Sequence, residues 1–300
     1  MAMNAIFVGG SPRSGTTLLG TLLQCIPGAC VTDESPFKDT VRWANFEDEN
    51  QFKNAIANDH KFKHWNIAGI ENIECPSERE FYQLLLTKFH GTMPSYWIDH
   101  TPANIRSYGR LKSIFPEAKF IHLVRDGRAV ANSVMPLEWG ANTPAAAAKQ
   151  WMEDVAIGLA TQVMHPEDVT MVKYETLVAK PVDTINNLFA FLGIDHRISG
   201  VEELNLDASF LPQSMRVGQH KNVGKLPNPS NANKWQTQLH DRDVAKFEHY
   251  ARGLLVELGY PARPPGKRPS KISLLRGMIA EKWLSRVINP PKYRAIRGIE

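Results

Sequence analysis

Residues 5–17 read AIFVGGSPRSGTT and run on into LLGTLLQC, ending at Cys25. The apolar run AIFV predicts a strand, the glycine-bearing segment a turn, and the stretch from Thr16 a helix. A strand, a tight turn and a helix N-terminus make an anion cradle, because free backbone N–H groups and the positive end of the helix dipole converge on one spot. Gly10 and Gly15 have the spacing of the two glycines in a P-loop, but Thr16 stands where an NTPase carries its phosphate-gripping lysine. Arg13 sits inside the loop instead. The loop is therefore suited to a phosphate or sulfate group, without the usual ATP and magnesium. The simpler alternative is a tight turn capped by Ser14 or Thr16. Such a turn has no need of an arginine beside two glycines.

Outward from this loop, apolar runs at Tyr96–Ile98, Phe120–Val124 and Val169–Val172 alternate with helical stretches. The helices are expected at Thr16–Cys25, Ser77–Gly91, Ala103–Phe115, Gly127–Val134, Pro144–Met164, Val182–Leu192 and Asp241–Leu258. Alternation of this kind predicts an α/β fold: a P-loop-like, three-layer arrangement with a central, mostly parallel sheet flanked by helices. The strands are continuous apolar runs, as strands covered on both faces should be. Residues 35–76, rich in Asn, Asp, Lys and aromatics, read as a substrate-side insertion, with Trp43 or Trp65 as candidate walls of an acceptor site. Residues 212–234 carry many Pro, Asn, Gly and Lys and read as a long loop.

A second segment, FIHLVRDGRAVANS at 120–133, ends a strand at Arg125 and opens a helix just after it. An arginine at the carboxyl end of a parallel strand faces the crevice where such sheets bind ligands. Its planar guanidinium suits a phosphate monoester. A helix starting at Gly127 would turn Ser133 back towards the strand end. The alternative is a salt bridge from Arg125 to Asp126 or Asp154.

SPRSGTT followed by LVRDGRAVANS resembles the two cosubstrate signatures of the sulfotransferases that use 3′-phosphoadenosine-5′-phosphosulfate. The likeness covers roughly residues 4–260 and is closer to the tyrosylprotein and Golgi-type branch than to the cytosolic steroid branch. It implies that Arg13, Ser14, Gly15, Thr16 and Thr17 cradle the 5′-phosphosulfate and that Arg125 and Ser133 grip the 3′-phosphate. The segment VKYETLVAKPVDTINNLFAFLGI is similar to the family's adenosine-contacting stretch, through Tyr174. VGKLPNPSNANKW is similar to its late closing loop, giving Lys225, Asn228 and Lys234. The implied reaction is in-line sulfuryl transfer to an acceptor hydroxyl, in which positioning and charge stabilisation dominate. Sulfate carries less charge than phosphate, so no metal is expected.

A base should take the acceptor's proton. Glu34, in VTDESPF, matches the place of the family's glutamate base, although a DES sequence also reads as a surface turn. In WIDHTPANI the family commonly has a lysine before T-P. Here that position holds His100, which could act as a donor, as an alternative base or only in packing. Asp99 could orient its imidazole, although neighbours in a strand face opposite ways. In the late loop Asn233 precedes Lys234 where the family has serine.

Composition narrows the rest. Three cysteines, Cys25, Cys30 and Cys75, with no metal-ligand spacing, point to reduced thiols and a cytoplasmic protein. Neither a signal peptide nor a long apolar span is visible, which makes a secretory-pathway tyrosine a poor expectation. A saccharide, a glycolipid headgroup or a small-metabolite alcohol is the expected acceptor, and no nucleic acid is expected as a partner. The net charge of +4 hides an asymmetry. Residues 261–300 hold ten Lys/Arg against Glu281 and Glu300, a local +8 that leaves −4 for residues 1–260. The resemblance implies a sulfotransferase domain over residues 1–260, and the charge marks 261–300 as a basic extension. Ile272, Leu275, Ile279, Trp283 and Val287 recur there at helical spacing among Lys271, Arg276, Lys282 and Arg286. This amphipathic helix would pack on the core or on a second subunit, or else, with the rest of residues 266–300, sit on an anionic inner membrane face or an acidic polymer. Two other functions compete with sulfuryl transfer: a P-loop kinase or nucleotide hydrolase, and a non-catalytic bisphosphate-binding protein.

Overall fold

The computed structural model describes residues 3–213, 223–263 and 270–289. Parts of the expected long loop (214–222) and of the basic tail (264–269 and 290–300) lie outside the described residues. The strands are β1 (Asn4–Gly10), β2 (Ala29–Thr32), β3 (Tyr96–Asp99), β4 (Lys119–Val124) and β5 (Val169–Lys173), in the order β2-β3-β1-β4-β5. β1 is central. It runs parallel to β3, with Ile6 opposite Ile98, and to β4, with Gly10 opposite Leu123. β2 runs parallel to β3 at the sheet edge. The four expected strands are all present. β2, four residues long like β3, was not expected.

The pleat divides β1 between two cores. Ala5 and Phe7 join Trp97, Phe115 and Phe120 on one face, while Ile6 and Val8 join Ile98, Ile121 and Leu123 on the other. Each fully buried side chain of this size is stabilised by about 2–3 kcal/mol. The helices Thr16–Leu22 and Pro181–Leu192 cover the second face. The insertion covers the first. Its helices Phe37–Thr40 and Glu49–Asn58, with short 3-10 turns, send Phe37, Phe52, Ile56 and Phe62 into the Phe7 cluster. Trp65 is only 4% exposed and belongs to that core, and Trp43 rests on Phe52 at 5.0 Å, so the expectation that either lines an acceptor site gives way to packing.

Most helix bounds follow the sequence. Gly127–Val134 and Pro144–Met164 form as expected, and Gly91 at φ +88 and Gly259 at φ +74 stop their helices in the left-handed region. The expected helix at 103–115 instead splits into a 3-10 turn, Pro102–Ile105, and the helix Tyr108–Ile114. The turn crosses so close to β1 that a Cβ on Gly9 would lie 2.5 Å from the Ile105 amide nitrogen.

The chain divides into two compact units. One comprises residues 1–10, 15–123 and 158–227 and contains nearly all of the sheet; the other comprises 11–14, 124–157 and 228–300. Among the described residues no helix is long and apolar enough to cross a membrane.

Within the sheet unit, the carboxylate of Asp99 ends β3 with no exposure to solvent. It accepts from the Thr101 amide at 2.8 Å, from Asn104 Nδ2 at 2.8 Å and from Ser35 Oγ, and Lys38 Nζ lies 3.2 Å away. Burial alone would raise the Asp99 carboxyl, but the Lys38 ammonium and these hydrogen bonds outweigh it and hold it down to about 2. Burial in turn pushes the Lys38 ammonium below its ordinary value, against the pull of Asp99. Asn104 Nδ2 also donates to Val8 O at 3.1 Å, which ties the end of β1 to the same hub.

Two predictions follow from buried charge and buried imidazole. Asp99→Asn leaves Lys38 buried without its counter-charge and should cost about 3–5 kcal/mol in urea unfolding at neutral pH; a loss below 1 kcal/mol would contradict the hub. His122, on β4, is fully buried with neither ring nitrogen partnered among the described residues, and burial pushes it down to about 4. The unfolded chain takes up that proton near pH 6.5 and the folded chain only near 4, so stability present above pH 6.5 is lost as the pH falls towards 4. The expected loss is roughly 3 kcal/mol. His122→Leu should flatten that part of the stability–pH curve.

Candidate active site

The loop after β1 is built by backbone geometry that only certain residues accept. Gly10 has φ +154 and Gly15 φ +103. Tyr174 lies directly against Gly15, so that a Cβ there would come within 2.7 Å of its ring. Gly15 is thus required twice, by its conformation and by the aromatic ring. No side chain caps the helix that follows, and Ser14 Oγ turns to Ser11 O instead. The capped-turn alternative is therefore not what the loop adopts. Thr16 and Thr17, in the first turn, are buried.

Arg13 has φ +71, a left-handed conformation that costs a non-glycine residue about 1–2 kcal/mol. Contacts within its own unit hold it there. Its Nε donates to Ser133 Oγ at 3.1 Å, and Arg125 Nη1 donates to Arg13 O at 3.0 Å. Arg125 Nη2 donates to Asn231 O at 2.9 Å, which brings the late loop to the same place. Arg13, Arg125 and Ser133, singled out separately in the sequence, thus meet in one cluster of two guanidinium groups and a hydroxyl.

The scaffold under this cluster is rigid. Asp126 caps the helix Gly127–Val134 by accepting from Arg128 N at 2.9 Å. Asp126 is paired with Arg128 at 2.8 Å, and Arg128 also reaches Glu248 at 2.6 Å and stacks 4.1 Å over the Trp235 ring. Arg125 O accepts from Trp151 Nε1 at 3.0 Å. A Cβ on Gly127 would lie 2.5 Å from Phe247, so the helix start presses against that ring. Arg128, which nothing in its sequence context distinguished from a surface arginine, is 1% exposed and holds this unit together.

In the sheet unit, Thr32-Asp33-Glu34-Ser35 is no surface turn. Thr32, Asp33 and Ser35 are buried and Glu34 is partly so. Ser35 N donates to Thr101 Oγ1 at 2.8 Å, and Lys38 Nζ donates to Ser35 O at 3.1 Å. The Asp99 hub therefore clamps the residue next to Glu34. Glu34 forms an ion pair with Lys61 at 3.1 Å, and Asp33 faces His64 at 3.2 Å. Lys61 and His64 come from the insertion, 27 and 31 residues away, and no local pattern announced them.

His100 is fully buried, its ring 5.5 Å from Phe210 and tight against Gly20, with neither nitrogen partnered among the described residues. Asp99 does not orient it, because that carboxylate is committed to Ser35, Thr101, Asn104 and Lys38. The cation near the end of β3 is Lys38, 3.4 Å from Thr101 Oγ1.

In the late loop, Lys225 and Lys234 are exposed. Asn228 accepts from Ser230 N at 2.9 Å and caps the turn Pro229–Ala232. No group of His, Cys, Asp and Glu among the described residues is arranged to hold a metal ion.

A model of the sulfotransferase family matches residues 5–197. Protein-tyrosine sulfotransferase 1 of Danio rerio is 27% identical over 288 residues, which cover 91% of this chain and 77% of that protein. Protein-tyrosine sulfotransferase A of Caenorhabditis elegans is 26% identical over 273 residues, covering 87% and 68%. Among solved structures, the sulfotransferase domain from the curacin biosynthetic pathway shares the fold with a TM-score of 0.59 and 19% identity, over 87% of this chain and 99% of that one. The sulfotransferase domain of the Synechococcus PCC 7002 olefin synthase gives 0.54 and 22% identity, over 84% and 94%. With the family model spanning well over half its length, and with the loop and the Arg125 helix lying inside the matched region, the chain belongs to the sulfotransferase family.

Proposed function

We propose that the protein transfers the sulfuryl group of 3′-phosphoadenosine-5′-phosphosulfate to the phenolic hydroxyl of a protein tyrosine. The observation that carries the donor half is the convergence of Arg125 and Ser133 on Arg13 of the loop. The Arg125 guanidinium and the Ser133 hydroxyl suit a phosphate monoester, and the planar fork gives it bidentate recognition. In this reading Arg125 and Ser133 take the 3′-phosphate. Arg13, Ser14, Gly15, Thr16 and Thr17 take the 5′-phosphosulfate. Tyr174, whose ring covers Gly15, takes the adenosine side. Lys225 and Lys234 supply exposed cations from the late loop, while Asn228 shapes its turn.

The acceptor oxygen attacks sulfur in line. The bond from sulfur to the bridging oxygen breaks, adenosine 3′,5′-bisphosphate leaves with the electron pair, and Glu34 takes the phenolic proton. Clamping of Ser35 and the Lys61 ion pair orient the Glu34 carboxylate. His100 is assigned to packing, since Phe210 and Gly20 enclose its ring.

The acceptor departs from the saccharide, glycolipid or metabolite alcohol expected from composition. The relatives that match most of this chain are protein-tyrosine sulfotransferases, which favours a tyrosyl phenol. A phenol, with a pKa of about 10, gives up its proton to a carboxylate far more readily than an aliphatic alcohol does.

Four outcomes are expected. With labelled donor, a tyrosine-containing peptide should accept label, whereas its serine counterpart and free saccharides should not; labelled saccharide with unlabelled peptide would reverse the acceptor assignment. Glu34→Gln should lower kcat by about 10²- to 10⁴-fold with donor binding nearly intact, and near-normal turnover would remove Glu34 from the base role. Arg125→Ala should raise the apparent donor constant by roughly tenfold or more while the acceptor constant stays within about twofold. In the same donor series, thermal stabilisation by adenosine 3′,5′-bisphosphate is expected, and stabilisation by ATP–magnesium alone would favour a kinase.

A further inference from the structure

The helix Lys271–Val287 rests on its own unit by its polar side. Glu281 accepts from the Asn142 amide at 3.0 Å and from Asn142 Nδ2 at 3.3 Å. Asn289, just past the helix, accepts from Asn142 Nδ2 at 2.8 Å and donates to Glu138 O. Ser285, one turn after Glu281, is fully buried. Packing of the apolar stripe on the core, one of the two readings the sequence allowed, is therefore reversed. Ile272, Leu275, Met278, Ile279, Trp283 and Val287 are each more than half exposed, Trp283 at 62%.

At about 100° per residue, Ile272, Leu275, Ile279, Trp283 and Val287 fall within an arc of about 120°. Arg276 and Arg286, both exposed, lie inside that arc, and exposed Lys282 lies beside it. The one acid of the helix, Glu281, is on the opposite side and engaged with Asn142. The outward face thus mixes large apolar groups with cations and contains no acid.

We propose that this face docks on an anionic lipid bilayer, with the helix lying in the plane of the interface. Charge complementarity selects the occupant. A second copy of the chain would bring the same cations, Arg276 and Lys282, against these across a face that carries no acid of its own, a costly arrangement. At a bilayer the apolar side chains enter the headgroup boundary, while the long stems of Arg276 and Lys282 let their charges reach lipid phosphates. Trp283 suits that boundary, being apolar in body with one polar N–H. Seventeen residues are too few, and too charged, for a span. None of the residues of this face is assigned to sulfuryl transfer, so the two assignments stand or fall separately.

The full chain would be sedimented with phosphatidylcholine vesicles containing or lacking phosphatidylserine. Binding should require phosphatidylserine and weaken with salt. Trp283→Glu should lower the affinity by about tenfold or more. Replacement of Arg276 and Lys282 together by glutamine should lower it by roughly 25-fold, at about fivefold for each charge lost. Turnover of soluble donor and acceptor should be unchanged in both variants, and this together with the wild-type melting curve shows that they are folded. Equal binding to both vesicle types, or binding unaffected by Trp283→Glu, would overturn the proposal. So would absence of vesicle binding, whether accompanied by self-association that Trp283→Glu abolishes or by capture of a soluble polyanion such as polyphosphate.

Discussion

One buried carboxylate, that of Asp99, carries much of the order at the carboxyl ends of the central strands. A carboxylate in a dry interior is tolerable only when its charge and its lone pairs are met. Lys38 meets the charge, and Ser35, Thr101 and Asn104 meet the lone pairs. The donors come from two separate pieces of chain, Ser35 and Lys38 from one, Thr101 and Asn104 from the other. Satisfying one ion therefore ties β3, the turn after it, the end of β1 through Asn104, and the loop bearing Glu34 into a single assembly. The proposed base inherits its position from this demand.

The other unit is organised by the same principle with the signs exchanged. Arg128 is a buried cation satisfied by Asp126, Glu248 and the face of Trp235. Its partner Asp126 also caps the helix that carries Ser133. Arg125 and Ser133 are then fixed well enough to hold Arg13 in a strained backbone conformation. Strain of that kind persists only where surrounding contacts over-determine it, and it gathers at functional sites. Arg13 is in addition flanked by two glycines, Gly10 and Gly15, whose positive φ lets the chain turn sharply.

Arg13, Arg125 and Ser133 were readable one by one because they stand at fixed places in strand–turn–helix units, but that they meet was not. The helix Gly127–Val134 was readable for a similar reason, through its Asp126 cap and apolar spacing. Lys38, Lys61 and Arg128 were not. Their partners lie far off along the chain, and one isolated lysine or arginine in a sequence looks like any other on a solvated face. The same limit misplaced Trp65, which lies in the core, and left β2 unseen. The tail shows the limit differently. Its helical period was plain, yet periodicity says only that one face differs from the other, not which face turns inward.

The sequence by itself determined the α/β alternation, the glycine-bearing strand–turn–helix loop and the family, because these rest on local spacing and on the short-range sterics of glycine and helix ends. Only the tertiary structure decided which charges are buried against which, that Glu34 is clamped from Ser35 and paired with Lys61, and that the terminal helix presents its apolar and basic face outward. Burial and long-range pairing are properties of the packed chain, since they depend on what the remaining residues place opposite each group. A linear pattern encodes the groups and their spacing, but the dielectric around them arises only on folding.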